Sequence, residues 1–329
     1  MKAIVADRYG GSEVLSLVDI AAPIPGPGEV RVRNRAVGIV QLDAVRVRGE
    51  NANIEPRVSL PYTPGNDGAG IVEVVGEGAE MYGIGDRVAF VSRATPGGYA
   101  DASVVPADRL IRLPDDIAFE DALVLLVSGM TCHYIVNDLW RPRPGSTVLV
   151  HAAAGGFGLA LVQWAKHMGC RVFGTVSNQA KAKAIREAGA DAAIIYTETD
   201  FVEEVHRLTD GRGVDFVSDS VGGTTFIGSI AAAAIRGHIV LSGQPGGLVD
   251  SFSPYALQKK SLTLTGAFLP HFIFRQDEYL ARANAVFEAA RSGWLSRSAG
   301  HRMALADAAK AYRLLETRQS IGKILLVPD

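Results

Sequence analysis

The sequence predicts a two-domain α/β protein in which a β-rich domain precedes a doubly wound parallel sheet. Three observations predict it. At 329 residues the chain exceeds one ordinary core. Up to about Leu123 it carries short β-like runs broken by Gly and Pro. From about Gly145 apolar, β-branched runs alternate with helical stretches, the pattern of a sheet covered on both faces.

In the first part, Val30 to Arg33, Gly70 to Val75 and Arg87 to Val91 read as strands. Turns such as Pro25-Gly26-Pro27-Gly28 and Gly83-Ile84-Gly85-Asp86 separate them, giving an irregular, barrel-like domain. In the second part the expected strands are Ser146–His151, Arg171–Val176, Ala192–Ile195, Val214–Asp219, His238–Ser242 and Leu262–Ala267. Between the first two, Phe157, Leu161, Trp164, Ala165 and Met168 share one helical face, and Gly169 stops the helix. Beyond Ala267, Leu280, Ala283, Phe287 and Ala290 form a helical stripe. A further helix is expected near Ala304 to Thr317, and a last strand at Lys323 to Val327. This tail is short for a domain of its own and is expected to complete the first. The predicted division is 1–123 with 269–329, and 124–268.

Composition excludes several classes. The apolar fraction is 48%, the charged fraction 21% and the net charge −2, so no global field draws the chain to nucleic acid or to a membrane. MKAIVADRYG lacks the apolar core of a signal peptide. No apolar run approaches the roughly 20 residues of a spanning helix; Ala122 to Val127 is only core-sized. Two cysteines, Cys132 and Cys170, give no disulfide framework and read as small buried apolar residues. A soluble, cytoplasmic protein is expected. The seven histidines are scattered singly.

The most informative segment runs from Ser146 to Leu159: a strand, then His151-Ala152-Ala153-Ala154-Gly155-Gly156-Phe157-Gly158, then a helix. Small residues let the backbone approach a pyrophosphate. The first N–H groups of the helix have no internal partner and face the anion. Gly158 permits close packing of helix and strand. A glycine-rich turn alone also suits a plain helix–strand crossing, but here it opens a six-strand α/β unit, the context a dinucleotide site requires.

An NAD site usually carries an acid at the end of the second strand, about 20 residues past the glycines, for the ribose 2′-hydroxyl. Here that strand ends Thr175-Val176-Ser177-Asn178, and Lys181 and Lys183 follow. A carboxylate would repel a 2′-phosphate, whereas a hydroxyl and a cation would bind it. NADPH is therefore expected. An ordinary solvated face is the alternative reading of the two lysines, and it leaves the missing acid unexplained.

At His151–Leu159, Gln163-Trp164-Ala165-Lys166, Gly174-Thr175-Val176, Asp219-Ser220-Val221-Gly222, Gly10–Leu15, Gly85-Asp86-Arg87-Val88 and Gly322-Lys323 the chain resembles the zinc-independent quinone oxidoreductases, the zeta-crystallin-like branch of the medium-chain dehydrogenases. The resemblance covers nearly the whole chain. It implies a GroES-like domain built from both chain ends around a Rossmann domain. It also implies that Lys181, Tyr196 and Arg318, with Ser177 nearby, hold the 2′-phosphate. Gly155, Gly156 and Phe157 would meet the pyrophosphate, with Ala154 and Gly158 in the same cofactor-binding turn. Thr131, Val221, Ser242 and Phe268 would line the nicotinamide side, and Ser220 and Gly243 are further expected cofactor contacts. Packing is the alternative role for Tyr196 and Phe268, and a solvated helix end for Arg318.

Zinc alcohol dehydrogenases carry motifs resembling G-I-C-x-x-D and G-H-E. Here the stretches are Gly38-Ile39-Val40-Gln41-Leu42-Asp43 and Gly65-Asn66-Asp67, so Val40 and Asn66 stand at the Cys and His positions. Valine offers no lone pair, and no metal is expected. Without a Lewis acid, suitable acceptors bring their own electron sink, as quinones and α,β-unsaturated carbonyls do. Val40 and Asn66 are expected in the substrate pocket. Val40 replaces an Asn common among relatives and Val45 replaces an aromatic residue. Arg46 to Asn53 is unusually polar and basic. These departures put quinone in doubt as the natural acceptor. The catalytic acid is unassigned. Asp43 and Tyr62 are the candidates, each with a structural role as alternative.

The expected activity is NADPH-dependent reduction of a quinone or other activated conjugated carbonyl. One alternative is an enoyl-thioester or 2-alkenal reductase, disfavoured by Val45 and by the absence of any Tyr between Tyr9 and Tyr62. Another is a non-catalytic NADPH-binding sensor, structural or RNA-binding protein, disfavoured by scattered charge. The resemblance implies a homodimer through a sheet edge at Leu262 to Ala267.

Overall fold

The computed structural model describes residues 1–50, 55–91, 95 and 97–328; Asn51, Ala52 and Asn53 of the polar stretch lie outside them. Two compact units form: Met1–Val127 with Arg297–Asp329, and Ser128–Ser296.

The first unit is built on the strand Glu29–Ile39, whose alternating valines Val30 and Val32 enter a core with Val72, Val88, Phe90 and Leu110. Asp67–Val75 and Ala102–Pro106 pair antiparallel with it, and Arg87–Val91 and Leu110–Arg112 extend the sheet. From the chain's other end, Ile324–Val327 joins the same strand, with Ile324 opposite Ile39. His301–Ala304 then pairs parallel with Ile324–Val327. Ala304 is thus the end of a strand rather than the start of a helix. A 3₁₀ turn at Leu305–Asp307 intervenes before the helix Ala308–Glu316.

The second unit holds six parallel strands: β1 (Thr147–Val150), β2 (Arg171–Val176), β3 (Ala192–Ile195), β4 (Val214–Asp219), β5 (Ala233–Leu241) and β6 (Thr263–Gly266). Their order is β3-β2-β1-β4-β5-β6, the doubly wound dinucleotide-binding order, with the switch point beside β1. Leu149, Phe173, Val217 and Ile239 fill its core. β5 starts five residues before the expected His238. Ala233 already pairs with Val214, the register shifts, and pairing resumes at His238 beyond Arg236, whose φ is 64°.

Two further expectations need correction. The boundary expected at 268 lies at Ser296, because the helix Gln276–Arg291 belongs to the second unit. Its Val286 lies where a Cβ on Gly129 would stand, 2.6 Å away, and Arg282 bonds His133 Nδ1 at 3.0 Å and Asp138 at 2.5 Å. Trp294, just beyond, meets Trp164 and stacks on His167. Only the chain from Arg297 onward returns to the first unit. The second correction concerns length. Phe119–Leu139 is one helical run of 21 residues with mean hydropathy 1.4, long and apolar enough to cross a bilayer by those criteria. Isolated polar residues such as Ser128 and His133 break the apolar string but leave its mean hydropathy high. Within the protein 61% of that window is buried, including Leu123, Leu126, Met130 and Ile135, as in a core helix. Cys132 and Cys170 are free and buried.

Candidate functional site

The glycine-rich turn leaves β1 at its carboxyl end. Ala152 takes a positive φ of 50°, Gly155 N–H closes the turn on Ala152 O, and Gly155 becomes the N-cap of the helix Gly156–His167. The first intrahelical bond from this cap is donated by Leu159 to Gly155 O at 2.9 Å, which leaves the N–H groups of Gly156, Phe157 and Gly158 without helical acceptors. Among the described residues no side chain caps them, and no acid sits in the first turn. Gly155, Gly156 and Phe157 are partly exposed, whereas Ala154 and Gly158 are buried beneath them. A Cβ on Gly158 would stand 2.4 Å from Ala152 O and 2.7 Å from Ala153 Cα, so only glycine lets the helix start this close to the turn. Gly174 of β2 is also close-packed, between the side chains of Ala153 and Ile185. Open N–H groups, a bare glycine surface and a helix N-terminus free of negative charge fit a pyrophosphate.

β2 ends at Val176 with no acid. Ser177 is half-buried, and Asn178 caps the next helix, Gln179–Glu187, its Oδ1 accepting from Lys181 N–H at 3.0 Å. Lys181 is 9% exposed, whereas Lys183 projects into solvent and pairs loosely with Glu187 at 3.8 Å. The two lysines therefore separate: Lys183 is an ordinary surface residue and Lys181 is not. Tyr196 follows β3, donates its N–H to Val176 O and exposes 42% of its surface, so half-buried packing does not describe it.

The other strand ends supply the rest. Asp219, the buried last residue of β4, has a role that its motif alone does not assign. Its Oδ1 accepts from Val221 N–H, Gly222 N–H and Thr225 Oγ1, which shapes the turn carrying Ser220 and Val221. Its Oδ2 accepts from Ser229 Oγ. Because Ser229 gives its proton to Asp219, it accepts from His151 Nε2, and His151 Nδ1 accepts from Thr175 Oγ1. Burial lowers the His151 pKa to about 4, keeping the ring neutral. Ser242 N–H bonds Asp219 O, its buried hydroxyl has no partner among the described residues, and a Cβ on Gly243 would meet Ser220 O at 2.4 Å. Phe268 is half-buried against His271, and Thr131 lies half-buried on the helix Phe119–Tyr134. Ala154 to Gly158, Ser177, Ser220, Val221, Ser242 and Gly243 thus gather at the carboxyl ends of neighbouring strands, where such sheets bind ligands.

In the first unit, Val40 precedes the helix Gln41–Arg48. Asp43 is fully buried and its Oδ2 accepts from Val40 N–H and from Tyr99 Oη, both at 3.1 Å. Burial first, and the nearby Asp67 second, push its pKa up to about 6. Asp43 orders the backbone at Val40, the structural role. Tyr62 pairs its backbone with Ala6 and packs against the core around Tyr99 and Tyr312. Asn66 is half-buried and accepts from Arg46; Arg318 is exposed after the last helix, with a φ of 55°. Among the described residues no three His, Cys, Asp or Glu side chains gather as a metal site.

Two family models match: the alcohol dehydrogenase GroES-like domain over residues 26–115 and the zinc-binding dehydrogenase over 156–285. A quinone oxidoreductase from Pseudomonas aeruginosa is 38% identical over 99% of both chains. A 2-haloacrylate reductase from a Burkholderia species is 34% identical over 99% of both. The crystal structure of Escherichia coli quinone oxidoreductase complexed with NADPH superposes with a TM-score of 0.94 at 34% identity, covering all of both chains.

Proposed function

This chain belongs to the zinc-independent quinone oxidoreductase branch of the medium-chain dehydrogenases, and from that premise we propose which residues carry its reaction. The reaction is NADPH-dependent reduction of quinones or other activated conjugated carbonyls. Bound NADPH supplies the hydride. The protein's task is alignment and exclusion of water.

The open first turn of the helix Gly156–His167 carries the reading, because uncapped N–H groups with no acid beside them, on a glycine surface at the sheet's switch point, suit an anion. Gly155, Gly156 and Phe157 hold the pyrophosphate, with Gly158 and Ala154 setting their approach. Lys181, Ser177 and Tyr196 take the 2′-phosphate, joined by Arg318. Thr131, Ser220, Val221, Ser242, Gly243 and Phe268 flank the nicotinamide. Val40 and Asn66 belong to the substrate pocket. The Burkholderia relative's name, 2-haloacrylate reductase, supports acceptors beyond quinones.

We also assign a homodimer through β6, the outermost strand on one side of its sheet, and a cytoplasmic location, which the two free thiols suit. NADPH oxidation at 340 nm with 9,10-phenanthrenequinone, a 2-enal and crotonyl-CoA tests the function. Turnover of the quinone or the enal, unchanged by EDTA, is expected. NADPH binding without turnover of any of the three would favour a non-catalytic role.

A further inference from the structure

Arg46 and Asn66 form a pair that the functions above leave unexplained. Arg46 is buried; its Nε and Nη2 donate to the two carboxylate oxygens of Glu55, and its Nη1 donates to Asn66 Oδ1 at 2.7 Å. A guanidinium has donors only, so the amide atom facing it has to be the oxygen. The NH2 end of Asn66 therefore points the other way. Among the described residues Asn66 Nδ2 donates to none, and Asn66 is only half-buried, so that end is accessible. The strand register brings Val40 near it. Gly38 stands opposite Asp67, so Val40, two residues past Gly38, and Asn66, one residue before Asp67, leave the ladder at the same end. Valine contributes no polar atom there. Asn66 is a preset donor there, and a donor already oriented costs no reorganisation when charge develops on a nearby oxygen.

We propose that Asn66 Nδ2 donates a hydrogen bond to the carbonyl oxygen of the hydride acceptor, and that Arg46, clamped by Glu55, is the positioning residue that keeps this end of the amide toward it. The proposal rests on the reductase reading above. In an enone, the hydride adds to the β-carbon, the C=C π pair forms a new bond between the α-carbon and the carbonyl carbon, and the C=O π pair moves onto oxygen to give an enolate. The nicotinamide is oxidised, and solvent returns one proton to the α-carbon. Asn66 stabilises the oxygen while it carries the charge.

Asn66→Asp keeps the shape and the contact to Arg46, removes the donor and sets an anionic oxygen in its place. Its kcat with a 2-enal should fall at least about 10²-fold, the usual cost of one oxyanion donor, with repulsion of the developing charge adding to it. The loss with 9,10-phenanthrenequinone, the stronger electron sink, should be about tenfold smaller, since less charge rests on the hydrogen bond. NADPH affinity by calorimetry and the melting temperature should stay unchanged. Losses within about twofold with every acceptor the native protein reduces, or equal losses across acceptors, overturn the donor role. Absence of any turnover by the native protein overturns the reductase reading and this proposal with it. A second readout avoids turnover altogether. The Asn66 side-chain amide protons, identified by their loss in Asn66→Asp, should shift downfield when 2-cyclohexenone is added to the NADP⁺-bound protein, and an unmoved signal contradicts the contact. Arg46→Lys, which still donates to Asn66, should retain far more kcat than Arg46→Met. Equal rates in the two folded variants remove the positioning role.

Discussion

Lys323 Nζ lies 2.9 Å from Asp67 Oδ2, a contact between residues 256 positions apart in which the side chains are 5% and 0% exposed. The pair sits against Gly38, where a Cβ would stand 2.3 Å from Asp67 Oδ2 and 2.6 Å from Lys323 Nζ. It fastens the returning chain end to the sheet that carries Asn66.

Breaking the pair from one side strands a buried charge. Lys323→Met should cost about 3–5 kcal/mol in urea unfolding, and the double variant with Asp67→Asn should recover much of that loss. Equal stability of Lys323→Met and the native protein would show the pair to be dispensable.

Two glycines of the same turn should behave oppositely. A Cβ on Gly155 meets Ala152 O at an ordinary 3.4 Å, whereas on Gly158 it meets the same oxygen at 2.4 Å. Gly155→Ala should fold with native stability. Gly158→Ala should lose about 1–3 kcal/mol and bind NADPH more weakly, because helix and turn must separate. Thermal melting and calorimetry check both.

Lys181→Glu places an acid beside the end of β2. NADPH affinity should fall more than about tenfold, or about 1.4 kcal/mol, with NADH affected far less. Equal loss for the two nucleotides would remove Lys181 from the 2′-phosphate site. Lys183→Glu, on the solvent side of the same helix, serves as the control.

Asp43 links stability to pH. Its native pKa of about 6 exceeds the ordinary 3.8, so the folded state holds the proton more tightly than the unfolded chain does. Its contribution is full below about pH 4 and is lost as pH rises through 6, on the order of 3 kcal/mol in all. Asp43→Asn lacks this loss. The stability difference between variant and native protein should shift toward the variant between pH 4 and 6 and stay level above it. A difference independent of pH would contradict the raised pKa.

The parallel sheet was legible in the sequence because its buried strands are continuous apolar runs bounded by turns, and β2, β3 and β4 fall where those runs do. The nucleotide turn was legible because glycine is required there by geometry. The boundary at Ser296 was not, because Val286 on Gly129 and Arg282 on His133 join residues far apart in sequence. The Arg46–Asn66 contact escaped notice for the same reason: Arg46 looks like one more charge in a basic stretch until its burial is seen. Asp67 and Lys323 each lie in a motif that was noticed, Gly65-Asn66-Asp67 and Gly322-Lys323, but only the fold pairs them. Asp219 was visible as part of Asp219-Ser220-Val221-Gly222, yet nothing in spacing alone says that one carboxylate shapes the whole turn.

Calorimetric titration of the native protein and of Gly156→Asp with NADPH tests the central assignment most directly. One binding event per chain in the native protein and none in the variant is the predicted result. No heat from the native protein, or the same affinity in both, would contradict the assignment of the pyrophosphate to the first turn of the helix Gly156–His167.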